Sequence, residues 1–313
     1  MERTDAAITL RPAALKPGDT VRFVSPSSPL PSEKTEAMRA FLEKEGYRVE
    51  FSKHCFDEDA HLAGTDQDRA SDLMEAFLDP GVGAVFCSRG GYGCARLFPY
   101  LDLDAMANAR KLFLGFSDIT TLHIALNNRG LPTVHAPMAL TFTNPREDWV
   151  YASLAAVLKG ENPVTEGAPR GQTLHGGQAE GIVSGGCLCL ICDSIGTPNP
   201  IQTEGRILIV EDVDEAPHRI DAMLTHLLNA NLVQKAAGIV IGEMTRTDEK
   251  ADEGIGGKSW REIVTERLAP LGIPTILDFP FGHNKNMLSL PLGIRARLDA
   301  DSGSLTYLER HCE

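Results

Sequence analysis

Three separated stretches hold residue types suited to acyl transfer. Ser117 stands in Gly115-Phe116-Ser117-Asp118-Ile119-Thr120, directly after the apolar run Lys111 to Phe116. A serine between a buried strand and a helix occupies a tight turn at the carboxyl end of a sheet, with helix N–H groups aimed near its hydroxyl. Ile119 breaks the G-x-S-x-G spacing, and a plain helix N-cap is the competing role for this serine. Glu211 follows the strand-like run Gly205 to Val210. There it could accept Nδ1–H from a histidine and balance an imidazolium, or belong to a solvated acidic loop with Asp212, Asp214 and Glu215. His283, flanked by Gly282 in a loop after Thr275 to Phe279, has the exposure a titrating base requires. His135 is its one serious rival. In Cys87-Ser88-Arg89-Gly90-Gly91-Tyr92-Gly93, closely spaced glycines let backbone N–H groups approach a ligand. The stretch lacks the P-loop lysine and strict G-x-G-x-x-G spacing, so an oxyanion hole suits it better than a phosphate cradle.

Alternating strands and helices position these residues. Strands are predicted over 20–26, 46–51, 83–87 and 111–116, with helices over 32–45, 66–78, 96–101, 104–109 and 119–129. That alternation implies a mainly parallel sheet covered on both faces. Residues 160–181 are rich in Gly, Pro, Thr and Gln without clear period, as in a linker with an edge strand. Strands resume over 178–185, 205–210, 237–242 and 275–279, with helices over 219–230 and 260–268. Two α/β domains are expected: 1–160 carrying Ser117, a linker at 161–180, and 181–313 carrying Glu211 and His283.

The chain has 313 residues, 42% hydrophobic and 23% charged, which suffices for a sizeable core. A formal charge of −13 disfavours nucleic acid as a partner, because no basic stripe is present to displace counterions. No apolar run approaches the roughly 18 residues of a membrane span, and Met1 to Leu15 lacks a signal-peptide layout. A cytoplasmic location is expected. Seven cysteines, an odd number set in apolar segments, suggest buried thiols rather than a disulfide framework. Cys187, Cys189 and Cys192 could suggest metal, but no second Cys or His pair with zinc spacing accompanies them, so no metal or cofactor is expected.

Taken together these stretches resemble the LD-carboxypeptidase family, which includes muramoyltetrapeptide carboxypeptidases and the related microcin C immunity peptidases. The resemblance runs through Arg89 to Gly93 with Arg96-Leu97, Gly115 to Thr120, Gly185-Gly186, Glu211-Asp212-Val213 with His218 to Asp221, and Gly282-His283 with Leu290 to Gly293. It implies a flavodoxin-like N-terminal domain and a swivelling β/α C-terminal domain. It further implies a Ser117–Glu211–His283 triad, an oxyanion hole from the N–H groups of Gly91 and Asp118, no metal, and a homodimer. A carboxypeptidase also needs a partner for its substrate's terminal carboxylate. Arg89 beside Gly90 is the first candidate, with Arg96 and Lys285 as rivals and a structural salt bridge as the other use of Arg89. Two departures stand out. Cys187 replaces the family's asparagine after Gly185-Gly186, and the loop Ser194 to Pro200 lacks the nucleobase-stacking tryptophan of the immunity branch. The expected substrate is therefore a murein tetrapeptide, cut before its terminal D-alanine. An aminoacyl-nucleotide analogue is the alternative, and a non-catalytic small-ligand-binding protein the third reading.

Overall fold

The structure is a computed structural model that describes residues 10–251 and 257–313. Most of the start expected to lack a leader, residues 1–9, lies outside the described residues. The chain divides into two compact units. The first runs through Thr165 and takes in Leu288–Gly293 and Arg310–Glu313; the second comprises Glu166–Met287 and Ile294–Glu309.

In the first unit, β1 (Thr20–Val24), β2 (Arg48–Phe51), β3 (Val82–Cys87), β4 (Leu112–Gly115) and β5 (Thr133–His135) are all parallel. Their spatial order is 2-1-3-4-5, the flavodoxin-like order. The helices between them are α1 (Glu36–Lys44), α2 (Asp66–Leu78), α3 (Leu103–Asn108) and α4 (Thr120–Asn127), with α5 (Asp148–Leu158) following β5. Phe23, Phe86, Leu112 and Leu114 point to one face, where Met38 and Leu42 of α1 and Leu154, Val157 and Leu158 of α5 join one core cluster. Phe113 points to the other face and stacks near Phe77 of α2 and His123 of α4. A parallel sheet buried on both faces explains why its strands read as near-continuous apolar runs. The Thr65 side chain caps α2 by accepting Asp68 N–H. Helix α5 had no counterpart among the elements expected from sequence. Its apolar residues crowd most of its surface, so the pattern carries little periodicity.

In the second unit, β6 (Gln172–His175), β7 (Gln178–Cys187), β8 (Ile207–Val213), β9 (Gly238–Thr245) and β10 (Thr275–Leu277) precede β12 (Arg295–Asp299) and β13 (Ser304–Tyr307). The strand between them, β11 (Leu290–Leu292), pairs antiparallel with β5 in the first sheet. The second sheet has the order 13-12-7-8-9-10-6, with β7 to β10 parallel and its edges antiparallel. Helices α6 (Leu188–Asp193), α7 (Pro217–Asn229) and α8 (Trp260–Leu268) accompany it, α7 packing on both others.

The segment expected as a linker, 161–180, holds β6 and the start of β7. Its polar, half-exposed residues suit an edge strand, where only one flank is paired. No helix among the described residues is long and apolar enough to cross a membrane.

Candidate functional site

In an open α/β sheet, ligands gather beyond the carboxyl ends of the strands where the strand order reverses. Here that reversal falls between β1 and β3. The loops leaving β1, β3 and β4 carry Ser25–Ser28, Ser88–Gly93 and Ser117, so topology alone brings the glycine loop and the serine to one rim.

Ser117 adopts φ +65°, uncommon for a non-glycine residue and typical of a sharp strand-to-helix turn. It opens a short 3₁₀ turn, Ser117–Ile119, that runs into α4. Gly90 lies directly against it. A methyl group at Gly90 would stand 2.7 Å from Ser117 Cβ and 2.9 Å from its Oγ, so only glycine fits without a shift. Gly91 follows in the same loop and packs on Ser28. The Asp118 side chain is buried and accepts Ser27 Oγ–H at 2.6 Å and Cys94 N–H at 2.9 Å. Burial pushes its carboxyl up while those donors work against the rise. Asp118 thereby joins the Ser117 turn to the loops after β1 and β3. Buried Arg69 adds to this by donating to the carbonyls of Pro26 and Gly93 and pairing with Asp66.

Arg89 donates to the carbonyls of Gly90 (3.1 Å) and Pro29 (3.2 Å). Burial lowers its pKa, and no carboxylate pairs with it among the described residues. Its rival Arg96 is engaged by Asp66 at 3.0 Å. His135 is fully buried against Phe116, which removes it as a solvent-facing base.

Glu211 and His283 meet in the second unit. Strand β8 continues two residues past Glu211, and its pairing with β9 shifts register between Val210 and Asp212. A bulge of this kind re-aims a side chain. Glu211 is fully buried and accepts His283 Nδ1–H at 2.7 Å and His283 backbone N–H at 3.2 Å. Gly282, at φ +94°, makes that approach possible: a Cβ there would stand 2.5 Å from Glu211 Oε2 and 2.6 Å from Cγ. Burial of His283 favours the neutral ring, but the Glu211 charge and hydrogen bond, then Asp212 and Asp214, outweigh it and raise the pKa above 6.5. With Nδ1–H committed to the carboxylate, Nε2 is left as the basic nitrogen.

The structure thus brings Ser117, Asp118, Arg89, Gly90 and Gly91 together in one unit, and Glu211 with His283 in the other. Sequence reading missed Ser27, Cys94 and Arg69. For Ser27 a signal was available, since the loop after the first strand lies at the reversal of strand order; buried contacts of Arg69 leave no such trace.

Comparison with known proteins gives the chain its family. Residues 21–136 match the LD-carboxypeptidase N-terminal domain, and residues 180–298 match the LD-carboxypeptidase C-terminal domain. A Streptomyces coelicolor protein that bears a carboxypeptidase name is 39% identical, over 95% of this chain and 96% of its own. The murein tetrapeptide carboxypeptidase of Pseudomonas aeruginosa is 32% identical, over 90% and 93%. Among solved structures, the muramoyltetrapeptide carboxypeptidase of Oxalobacter formigenes superposes with TM-score 0.78 at 27% identity, covering 92% of this chain and 97% of that one. The microcin C7 self-immunity protein shares the fold at TM-score 0.85 and 23% identity, covering 97% and 100%. Matched in both of its domains and along most of its length, this chain belongs to the LD-carboxypeptidase family.

Proposed function

We propose that this carboxypeptidase hydrolyses the L,D-peptide bond before the terminal D-alanine of a murein tetrapeptide, with Ser117 as nucleophile, His283 as general base and Glu211 orienting it. The observation that carries the reading is the buried 2.7 Å Glu211–His283 pair, which holds Nδ1–H on the carboxylate and so makes Nε2 the nitrogen that accepts a proton. His283 Nε2 takes the Ser117 proton as Oγ attacks the scissile carbonyl. The oxyanion is held by the N–H groups of Gly91 and Asp118, where loss of one donor would cost about 3–4 kcal/mol. Protonated His283 returns its proton to the leaving amine, D-alanine departs, and water resolves the acyl-enzyme by the same route in reverse. Arg89 receives the substrate's terminal carboxylate; its guanidinium has no carboxylate partner among the described residues and is well shaped for one.

Names of the relatives from Pseudomonas and Oxalobacter support the murein substrate. Seven cysteines without a disulfide fit a reducing cytoplasm, and a homodimer is the assembly the family resemblance suggests. The test is D-alanine release from a murein tetrapeptide, followed by chromatography and mass spectrometry. Ser117→Ala should reduce turnover by on the order of 10⁶ with an unchanged circular dichroism spectrum. An undiminished rate in that variant rejects the mechanism. Turnover of an aminoacyl-nucleotide analogue with none of the tetrapeptide rejects the substrate.

A further inference from the structure

Beside the Glu211–His283 pair lies a second cluster that the proposed chemistry does not use. Cys187 closes β7 and leads into α6, and Cys189 stands in the first turn of that helix. Their sulfurs approach to 3.4 Å. Asp212 reaches the same place from β8, and the two sulfurs and a carboxylate oxygen all lie within 4.8 Å of one another. Cys187 is buried and stands opposite Glu211 in the β7–β8 register, while Cys189 is half-exposed and gives the cluster access to solvent.

Asp212 shows what is missing from this arrangement. Its side chain is buried, with Oδ2 accepting Cys189 N–H at 2.9 Å and Oδ1 accepting Val213 N–H at 2.7 Å. Among the described residues no lysine or arginine pairs with it. Burial first, then the neighbouring Glu211 charge, pushes its carboxyl up to about 6. A buried carboxylate beside another carboxylate, with no lysine or arginine partner and only His283 near enough to raise its own pKa in response, is a position that a bound cation would stabilise. Two thiols on the same side define which cations would suit.

We propose that Cys187, Cys189 and Asp212 form a binding site for a thiophilic divalent cation of the zinc class. Two thiolates and one carboxylate are three ligands of a tetrahedral shell, leaving the fourth position to water. Zinc–sulfur bonds of about 2.3 Å place tetrahedral sulfurs about 3.8 Å apart, so the pair needs to open by only a few tenths of an ångström. Binding converts both thiols to thiolates and releases two protons to solvent, with no change in oxidation state. The carboxylate distinguishes this site from a simple dithiol, because a disulfide would have no use for Asp212. Cys187 stands where the family resemblance leads one to expect asparagine.

The experiment titrates the reduced full-length protein with Co²⁺ and then Zn²⁺. A thiolate-to-cobalt charge-transfer band should grow to a single equivalent and vanish as Zn²⁺ displaces the probe. Outer contacts of a metal site alone are worth about 10- to 100-fold in affinity, so Cys189→Ser should diminish the band, leaving only what Cys187 supplies, and weaken Zn²⁺ by about a hundredfold or more. Asp212→Asn should retain the band with weaker affinity, and Cys192→Ser should leave both unchanged. Alkylation gives a readout on the unaltered chain: Cys189 should react freely in the apo-protein and be shielded by Zn²⁺. Absence of the band in the wild-type protein, an undiminished band with unchanged Zn²⁺ affinity in Cys189→Ser, or unshielded Cys189 in saturating Zn²⁺ would each overturn the proposal. None of these readouts depends on peptidase turnover.

Discussion

At the scale of single residues, the role proposed for His283 as general base would link stability to catalysis with opposite signs. Its pKa is raised in the folded protein, so the Glu211–His283 pair contributes stability fully below the unfolded value of about 6.5. That contribution fades as pH rises through the higher folded value. A general base must be neutral, so activity should appear over the same interval in which the stabilisation is lost. The acid limb of kcat/KM is expected to have its midpoint above about 6.5. Glu211→Gln removes the charge that opposes desolvation, so the limb should move down in pH. The rate on its plateau should fall by about 10³–10⁴, because the tautomer is no longer held. A pH–rate profile of both proteins checks the two effects, and an unmoved limb would show that Glu211 does not set the histidine's protonation. The candidates Ser117, Glu211 and His283 were visible from residue type and placement after apolar runs. The partners of Asp118 are less visible: Ser27 is marked only by its place after the first strand, and Cys94 has no chemistry that marks it in one dimension.

Elements work here through close approach. Gly90 gives Ser117 room in the first unit, and Gly282 gives Glu211 room in the second. Gly90→Ala should lower kcat/KM by on the order of a hundredfold, since a sub-ångström shift of a nucleophile carries that cost, with little change in melting temperature. Gly282→Ala carries both a contact at 2.5 Å and a φ of +94°, so it should lower activity and stability together. Steady-state kinetics beside thermal melts separates these outcomes. Most strands and helices of both units were legible, because parallel strands buried on two faces make short apolar runs between amphipathic helices. The elements without a sequence expectation were α5, whose apolar residues blur its period, the short helix α6, and the short strands β5, β11, β12 and β13. Three to five residues carry too little pattern to be recognised alone. The register shift between β8 and β9 was equally hidden, since register is a property of two strands.

For the whole molecule, the order of elements along the chain differs from their grouping in space. After β10 the chain returns to the first unit for Leu288–Gly293 and again for Arg310–Glu313. Leu290 and Leu292 are fully buried in β11, which covers the edge of β5, and Ser289 N–H donates to Ser153 Oγ of α5 at 2.9 Å. Leu290→Ala should cost about 2–5 kcal/mol through the cavity it leaves. Hydrogen exchange should then quicken at Val134 in β5 more than at Ile209 in β8; equal changes in both units would show that they unfold together.

The amino-acid sequence by itself determined the class of the fold and the presence of two α/β units, and it singled out the candidate side chains by type. Those properties follow from local hydrophobic period and from motifs a few residues long. Tertiary structure decided that β11 belongs with the first sheet and that Asp118 ties Ser27 and Cys94 to the Ser117 turn. It also decided that Glu211 is buried against His283 and that Cys187, Cys189 and Asp212 converge. Each of these is a contact between residues distant in the chain or on different strands, and such contacts are set by the packing of the whole fold rather than by neighbours in sequence.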